Sequence, residues 1–438
     1  MNRRDFLKCT AVATGAGIAM PAIVPSSVFG RNAPSNRINM GCIGTGRIAR
    51  SDDIPGFLRF DEVQMVAVCD VDSKRTKDAI AQVEGHYAKT TGIKDYKGCK
   101  GFGDYRELIA HKDIDAVMIC TPDHWHVLPG IDAAKAGKDI FIQKPLSLTI
   151  AEGRALSDAV HRTGRVLLVG SQQRSNPSFL RACELVRNGR IGELKTVRVG
   201  LPGDPGCGEE PEMPVPPNLD YDVWLGSTPV VPYTEKRVHP QKDYSRPGWL
   251  RIQAYGAGMI TGWGSHHLDT AQWGMGTEYT GPVTIEGKAE FPESGLWDVH
   301  GDFEITFTYA DGRKLICADN KRHEQGVRFE GTEGWIHVKR WTARSEPATI
   351  MDSVIGPDEV HLYKSEDHKK NFVDCVRSRG LTVAPVEVGH RSNTVCLLGS
   401  IAMNLGRKLK WDPDNERFRD DDEANGMVAR HMRAPWKI

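Results

Sequence analysis

Two stretches of this chain hold side chains suited to moving protons. In Ile140-Phe141-Ile142-Gln143-Lys144-Pro145, a lysine follows an apolar run and is held by proline. An ammonium set at the end of a buried strand loses hydration, so its pKa falls and it can exchange protons near neutrality. A solvated lysine capping a loop is the alternative on these residues alone. The second stretch is Gly262-Trp263-Gly264-Ser265-His266-His267-Leu268-Asp269, where Ser265 can N-cap a helix beginning at His266. An imidazole in such a first turn suits a general base, although a satisfied core histidine reads equally well. On that helix His266, Asp269 and Trp273 share a face at i, i+3 and i+7.

The elements that must position these groups begin at Ile38. The run Ile38 to Ile43 ends in Gly44-Thr45-Gly46-Arg47-Ile48-Ala49, a G-x-G-x-x-A that opens a helix, and the run Val63 to Cys69 ends at Asp70. The first glycine permits a tight turn, the second lets backbone approach a pyrophosphate, and the small third residue packs helix on strand. An acid after the second strand accepts hydrogen bonds from a ribose and repels a 2′-phosphate. Gly44, Thr45, Gly46, Arg47, Ile48 and Asp70 therefore read as an NAD site. Strands over 115–120, 139–143 and 166–170, with helices between them, complete an open parallel sheet. Its carboxyl edge would gather Gly44, Asp70, Thr121, Lys144 and Gln172.

Net charge is zero, with 57 basic and 57 acidic residues, so a nucleic-acid binder is not indicated. Met1-Asn2-Arg3-Arg4-Asp5-Phe6-Leu7-Lys8, followed by a glycine-diluted apolar run, reads as a twin-arginine export signal over residues 1–33. Ten cysteines without C-x-x-C pairs suit folding in a reducing compartment before export. A zinc site from His124, His126, His266 and His267 lacks any H-E-x-x-H or cysteine pattern, so no metal is expected.

Beyond Gly200 the texture changes. Residues 201–248 are proline-rich and read as a long loop that is either functional or wrapped over a neighbour. Alternating runs over 302–309, 314–319, 326–330 and 334–339 predict antiparallel strands, and helices are expected over 367–378 and 388–405. The tail from Trp411 reads as polar surface chain. The fold class is thus an α/β Rossmann domain (34–170) followed by an α+β domain (171–438) with a large open, mainly antiparallel sheet.

Taken together, the nucleotide fingerprint, Thr121-Pro122-Asp123 with His126, Gln143-Lys144-Pro145 and the glycine-rich segment ending in His266 resemble the Gfo/Idh/MocA oxidoreductase family. Members typically exchange hydride between NAD(P) and a carbinol carbon of a sugar or cyclitol, and often pair copies through the open sheet. The resemblance implies catalytic roles for Lys144 and His266, and adds Thr121, Pro122, His126, Gln143 and Lys144 to the cofactor site. Arg174, Trp263, His267 and Asp269 are the side chains expected to face the substrate, with Tyr221, Trp224 and Trp249 as further sugar-stacking surfaces.

Two departures stand out. Gln143 replaces the usual glutamate before the lysine, and Gly262 occupies the place of an aspartate that polarises the histidine. His266 as base with Lys144 as relay is the favoured assignment, and Asp269 could replace the missing acid or Lys144 could be the principal base. The expected activity is an exported sugar oxidoreductase with tightly held NAD. The alternatives are a glycosidase acting by transient oxidation and elimination, or a non-catalytic sugar-binding protein. Homo-oligomerisation and a small carbohydrate substrate complete the expected partners.

Overall fold

The computed structural model describes residues 36–438; the export signal expected over 1–33 lies outside the described residues. Six short strands form a parallel sheet, and five of them are nearly continuous apolar runs, as strands buried on both faces must be. They are β1 (Ile38–Ile43), β2 (Val63–Cys69), β3 (Lys100–Phe102), β4 (Ala116–Ile119), β5 (Asp139–Ile142) and β6 (Leu167–Val169). The order is β3-β2-β1-β4-β5-β6, so the direction reverses between β1 and β4 and opens a crevice at their carboxyl ends. Crossover helices α1 (Ser73–Thr91), α2 (Val127–Lys135) and α3 (Ile150–Thr163) cover the sheet. Asp72 caps α1 by accepting from the Lys74 and Arg75 amides, and Thr149 caps α3. The glycine turn does not lead into one straight helix: a π-helical turn, Ala49–Asp53, precedes a short helix, Ile54–Leu58.

The second layer is a nine-stranded sheet ordered β13-β12-β11-β7-β10-β9-β8-β14-β15. Its strands are β7 (Leu194–Leu201), β8 (Thr284–Ala289), β9 (Phe303–Thr308), β10 (Lys314–Asp319), β11 (Gly326–Gly331), β12 (Trp335–Lys339), β13 (Thr342–Glu346), β14 (Leu409–Asp412) and β15 (Arg417–Phe418). Only β7 and β10 pair in parallel. Alternation assigns the faces: Phe303, Ile305 and Phe307 are buried, while Glu304 is exposed and Thr306 and Thr308 half-buried. Helices α4 (Pro177–Arg187), α5 (Gly264–Met275) and α7 (Val386–Leu405) pack on the apolar face.

Helix α6 (His368–Ser378) crosses back to the first domain, where Phe372 lies edge-on to Phe57 and Phe141, with ring centroids 6.0 and 6.1 Å away. The loop over 201–248 does wrap its neighbour, and its Tyr221, Trp224 and Tyr233 form an aromatic cluster with Tyr255 just beyond it. The tail corrects its reading as surface chain. Trp411 and Phe418 are buried against each other, Arg430 pairs with Glu152 at 2.7 Å, and Trp436 packs on Trp125. Among the described residues no helix is long and apolar enough to cross a membrane.

Candidate active site

A cavity of about 680 Å³ follows the crevice, walled by the parallel sheet's carboxyl edge, the segment 245–266 and the tip of the β12–β13 hairpin. Of the expected cofactor residues, Gly44, Gly46, Arg47, Ile48, Asp70, Thr121, Pro122, His126, Gln143 and Lys144 line it. Thr45 does not; its amide and hydroxyl donate to Asp70 Oδ2 at 2.7 and 3.1 Å, so it braces the acid from behind. Gly44 has φ +84°, and a Cβ there would sit 2.8 Å from the backbone of Cys120 and Thr121. No other residue fits that turn without moving β4. Above Gly46 the approach is open, and the buried Arg47 Nε has no hydrogen-bond partner among the described residues. A cradle of bare backbone beside an unpartnered guanidinium and a braced acid fits a dinucleotide.

The proline-rich loop closes the adenosine side. His239 pairs with Asp72 at 3.0 Å, Lys74 Nζ donates to the Gln241 carbonyl at 2.6 Å and Arg75 to the Pro240 carbonyl at 2.9 Å. Tyr244 lies between the Arg50 and Arg75 guanidinia, 4.7 and 4.5 Å from its ring centre, and its hydroxyl donates to Asp78.

At the other end Lys144 Nζ donates to the Gly262 carbonyl at 2.7 Å. Burial lowers its pKa to about 8; Asp123 opposes that shift, while Arg340, Arg246 and Arg47 add to it. Burial pushes the Asp123 carboxyl up, against the pull of Lys144. His266 lines the same space, edge-on to Trp263 at 5.9 Å. Burial, with Lys144 and Arg340 close by, holds this imidazole well below its usual pKa. Its Nδ1 is buried without a hydrogen-bond partner among the described residues, so none of their carboxylates polarises it.

Gln143 accounts for one departure. Its amide donates to Asp53 Oδ2 at 2.8 Å, and burial raises the Asp53 carboxyl to about 6. A glutamate at 143 would set two carboxylates together there. His126 ties the region together, its ring nitrogens lying 2.6 Å from the Pro145 carbonyl and 3.0 Å from that of Thr121.

Three expected substrate residues lie elsewhere. Arg174 holds Asp269 through its Nε and Nη2, each at 2.8 Å, and Ser392 donates to the same carboxylate at 2.6 Å. Both partners are almost fully buried and neither lines the cavity. Asp269 is therefore committed to a structural pair, and does not stand in for an aspartate at 262. His267 is buried against Phe179 with Nδ1 3.2 Å from Gln173 Oε1. Ser265 caps nothing: α5 begins at Gly264 without a side-chain cap. Of the aromatic surfaces, Trp224, Trp249 and Trp263 line the cavity, whereas Tyr221 turns its hydroxyl to the Pro232 carbonyl.

The structure also brings in groups not selected from the sequence: Asp123, Arg246, Arg340, Trp341 and Lys369. Asp123 stood within a quoted motif at a strand's carboxyl end. The hairpin tip had only its turn position as a signal, since its contacts with the cavity are long-range. Among the described residues no cluster of His, Cys, Asp and Glu could hold a metal ion.

Two family models match the chain: the oxidoreductase family's NAD-binding Rossmann fold over residues 38–171, and its C-terminal alpha/beta domain over 205–438. The Bacillus subtilis oxidoreductase YrbE is 26% identical over 385 residues, which cover 85% of this chain and 92% of that protein. A glycosyl hydrolase family 109 protein of Shewanella pealeana is 31% identical over 212 residues, 44% of each chain. Among solved structures, the WlbA dehydrogenase of Bordetella pertussis, in complex with NADH and UDP-GlcNAcA, superposes with a TM-score of 0.61 at 16% identity. The match covers 86% of this chain and 99% of that one. The aldose–aldose oxidoreductase of Caulobacter crescentus, complexed with glycerol, gives 0.59 at 18%, covering 85% and 99%. At these identities the superpositions speak for the fold alone.

Proposed function

The chain belongs to the Gfo/Idh/MocA oxidoreductase family, with an NAD-binding Rossmann domain, and from that premise we propose that it oxidises a secondary hydroxyl of a sugar or glycoside, or reduces the keto form. The observation that carries this reading is Lys144: half-buried, anchored on the Gly262 carbonyl, and set in the cavity that the nucleotide loop enters. Bound NAD supplies the acceptor for the hydrogen and electron pair that leave the carbinol carbon.

The chain's own groups handle the proton. A neutral lysine amine has one lone pair and two N–H bonds. Gly262 accepts from one N–H, which leaves the lone pair free to take a hydroxyl proton and the other N–H to steady the oxygen. His266, held neutral by burial and by nearby cations, is the weaker proton acceptor and serves as a hydrogen-bonding partner for the same hydroxyl. This exchanges the roles first expected of the two residues. Trp249 and Trp263 supply apolar faces for a sugar ring.

Closure of the adenosine side by the Asp72–His239 and Tyr244 contacts supports tight retention of the cofactor. Export by the N-terminal signal and pairing of copies across the sheet's open face, where Arg198, Thr306 and Ile316 are half-buried, belong to the same reading and rest on the sequence. Cell fractionation and solution mass measurement test them.

The deciding experiment follows absorbance near 340 nm in purified protein on adding a panel of sugars and glycosides without added NAD. A rise supports oxidation by a captive cofactor. A flat trace, also with excess NAD, removes the reading. A second reading, glycosidase action, is favoured by the family 109 relatives. Oxidation at C3 would acidify the C2 hydrogen and allow the C1 substituent to leave, so release of aglycone separates the two.

A further inference from the structure

The cavity's reaction end carries more positive charge than the chain neutralises. Arg246 and Arg340 line it from exposed positions at its rim, and neither makes an ion pair among the described residues. A pyrophosphate in the glycine-loop cradle would take up Arg47 and its neighbour Arg246. Arg340 remains. Its guanidinium stacks 4.6 Å from the centre of the Trp263 ring, which stands beside His266, while Gly262, the preceding residue, holds Lys144. The acid whose field reaches it, Asp52, already bonds Lys369 at 2.7 Å. Next to Arg340 at the hairpin tip, Trp341 has φ +68° and its side chain is 78% exposed at the cavity mouth. A left-handed position in a two-residue turn ordinarily favours glycine, and a bulky indole is costly there. An arginine with no acid partner and an exposed indole at one tip make a site for a ring that bears an anion.

We infer that the preferred substrate is a sugar carrying a carboxylate, and that Arg340, stacked on Trp263, receives that carboxylate while Trp341 covers the ring. The inference rests on the sugar-oxidoreductase reading for its turnover test, but not for its binding test. A planar guanidinium presents two parallel N–H donors to a carboxylate, a geometry that lysine lacks.

The experiment compares the methyl glycosides of glucuronate, galacturonate and mannuronate with those of glucose, galactose and mannose. Quenching of tryptophan fluorescence reads binding, and absorbance near 340 nm reads turnover. In the unaltered protein at least one uronide should exceed its neutral partner about tenfold in kcat/KM. In Arg340→Gln that ratio should fall at least tenfold, while Arg340→Lys recovers only part of it. Uronide binding that Arg340→Gln abolishes, without any absorbance change, would keep the anion site and remove the oxidoreductase reading. Equal turnover of uronides and neutral sugars would do the reverse. Fluorescence silent to all six compounds, or a ratio that Arg340→Gln leaves intact, overturns the inference. Glucose 6-phosphate is the further comparator: tighter, Arg340-dependent binding of this ester than of any uronide overturns the carboxylate assignment.

Discussion

The two ends of the cavity are built on opposite electrostatic principles. At the adenosine end the charges are matched within the chain: Asp72 has His239 and the α1 amides, Asp70 has Thr45, and Arg75 has carbonyls and the Tyr244 ring. At the reaction end, among the described residues, Lys144 bonds one carbonyl with the Asp123 carboxyl acting on it, His266 Nδ1 bonds nothing, and Arg340 meets an indole face. A satisfied network fixes a geometry, whereas unmatched groups are free to meet charge that arrives or develops. On the proposed reading, the molecule grips at one end and reacts at the other. Removing Lys144 should break this contrast most severely. Lys144→Met should lower kcat/KM about 10²–10⁴-fold, the usual range for a lost acid–base group, while nucleotide still co-purifies. Protein that loses activity and nucleotide together would show that the lysine belongs to the gripping end.

A buried ion pair outside the cavity marks what a structural charge looks like by comparison. Arg174 and Asp269 are doubly bonded, capped by Ser392 and Glu278, and shut away from the cleft. Arg174→Met leaves Asp269 buried with only Ser392, which should cost about 3–5 kcal/mol of stability. Denaturant unfolding at fixed nucleotide content measures it. The protein that remains folded should retain its kcat; a selective fall in kcat at full stability would return Arg174 to the site.

What the chain reveals before folding follows the range of the forces involved. Strands β1, β2, β4, β5 and β6 were legible because burial on both faces demands continuous apolar runs. Gly44 was legible because only glycine suits its turn. The Arg174–Asp269 pair joins residues 95 positions apart, and no local pattern announces it. Helical spacing put His266 and Asp269 on one face, yet only His266 reaches the cavity while Asp269 is bonded to Arg174. The tail misled for a similar reason: two anchors, Trp411 and Phe418, in a polar background were enough to bring it back onto the fold.

The assignment of the base can be sharpened by pH. Lys144 accepts a proton only when neutral, and its pKa is lowered to about 8. Oxidation should therefore fall about tenfold per unit as pH drops below that value, and level off above it. His266 is already neutral through this range, so as sole base it would give a flat profile. Steady-state kcat/KM from pH 6 to 9.5 distinguishes the two. A flat profile in the unaltered enzyme would return the proton to His266.

The smallest expected effect probes the gripping end. Tyr244 bridges Arg50, Arg75 and Asp78 from the wrapped loop, and of these three only Arg75 is buried. Stacking on each guanidinium contributes about 0.5–1 kcal/mol in such settings. Tyr244→Ala should thus speed nucleotide release by about tenfold, since 1.4 kcal/mol corresponds to that factor. Release into an excess of a nucleotide-scavenging dehydrogenase would time it. The chemical step, measured in a single turnover with cofactor in place, should move far less than the release rate, because Tyr244 touches only the adenosine side. Were both rates to change together, the two ends would be mechanically coupled through the proline-rich loop, and the division of the cavity into a matched and an unmatched half would not hold.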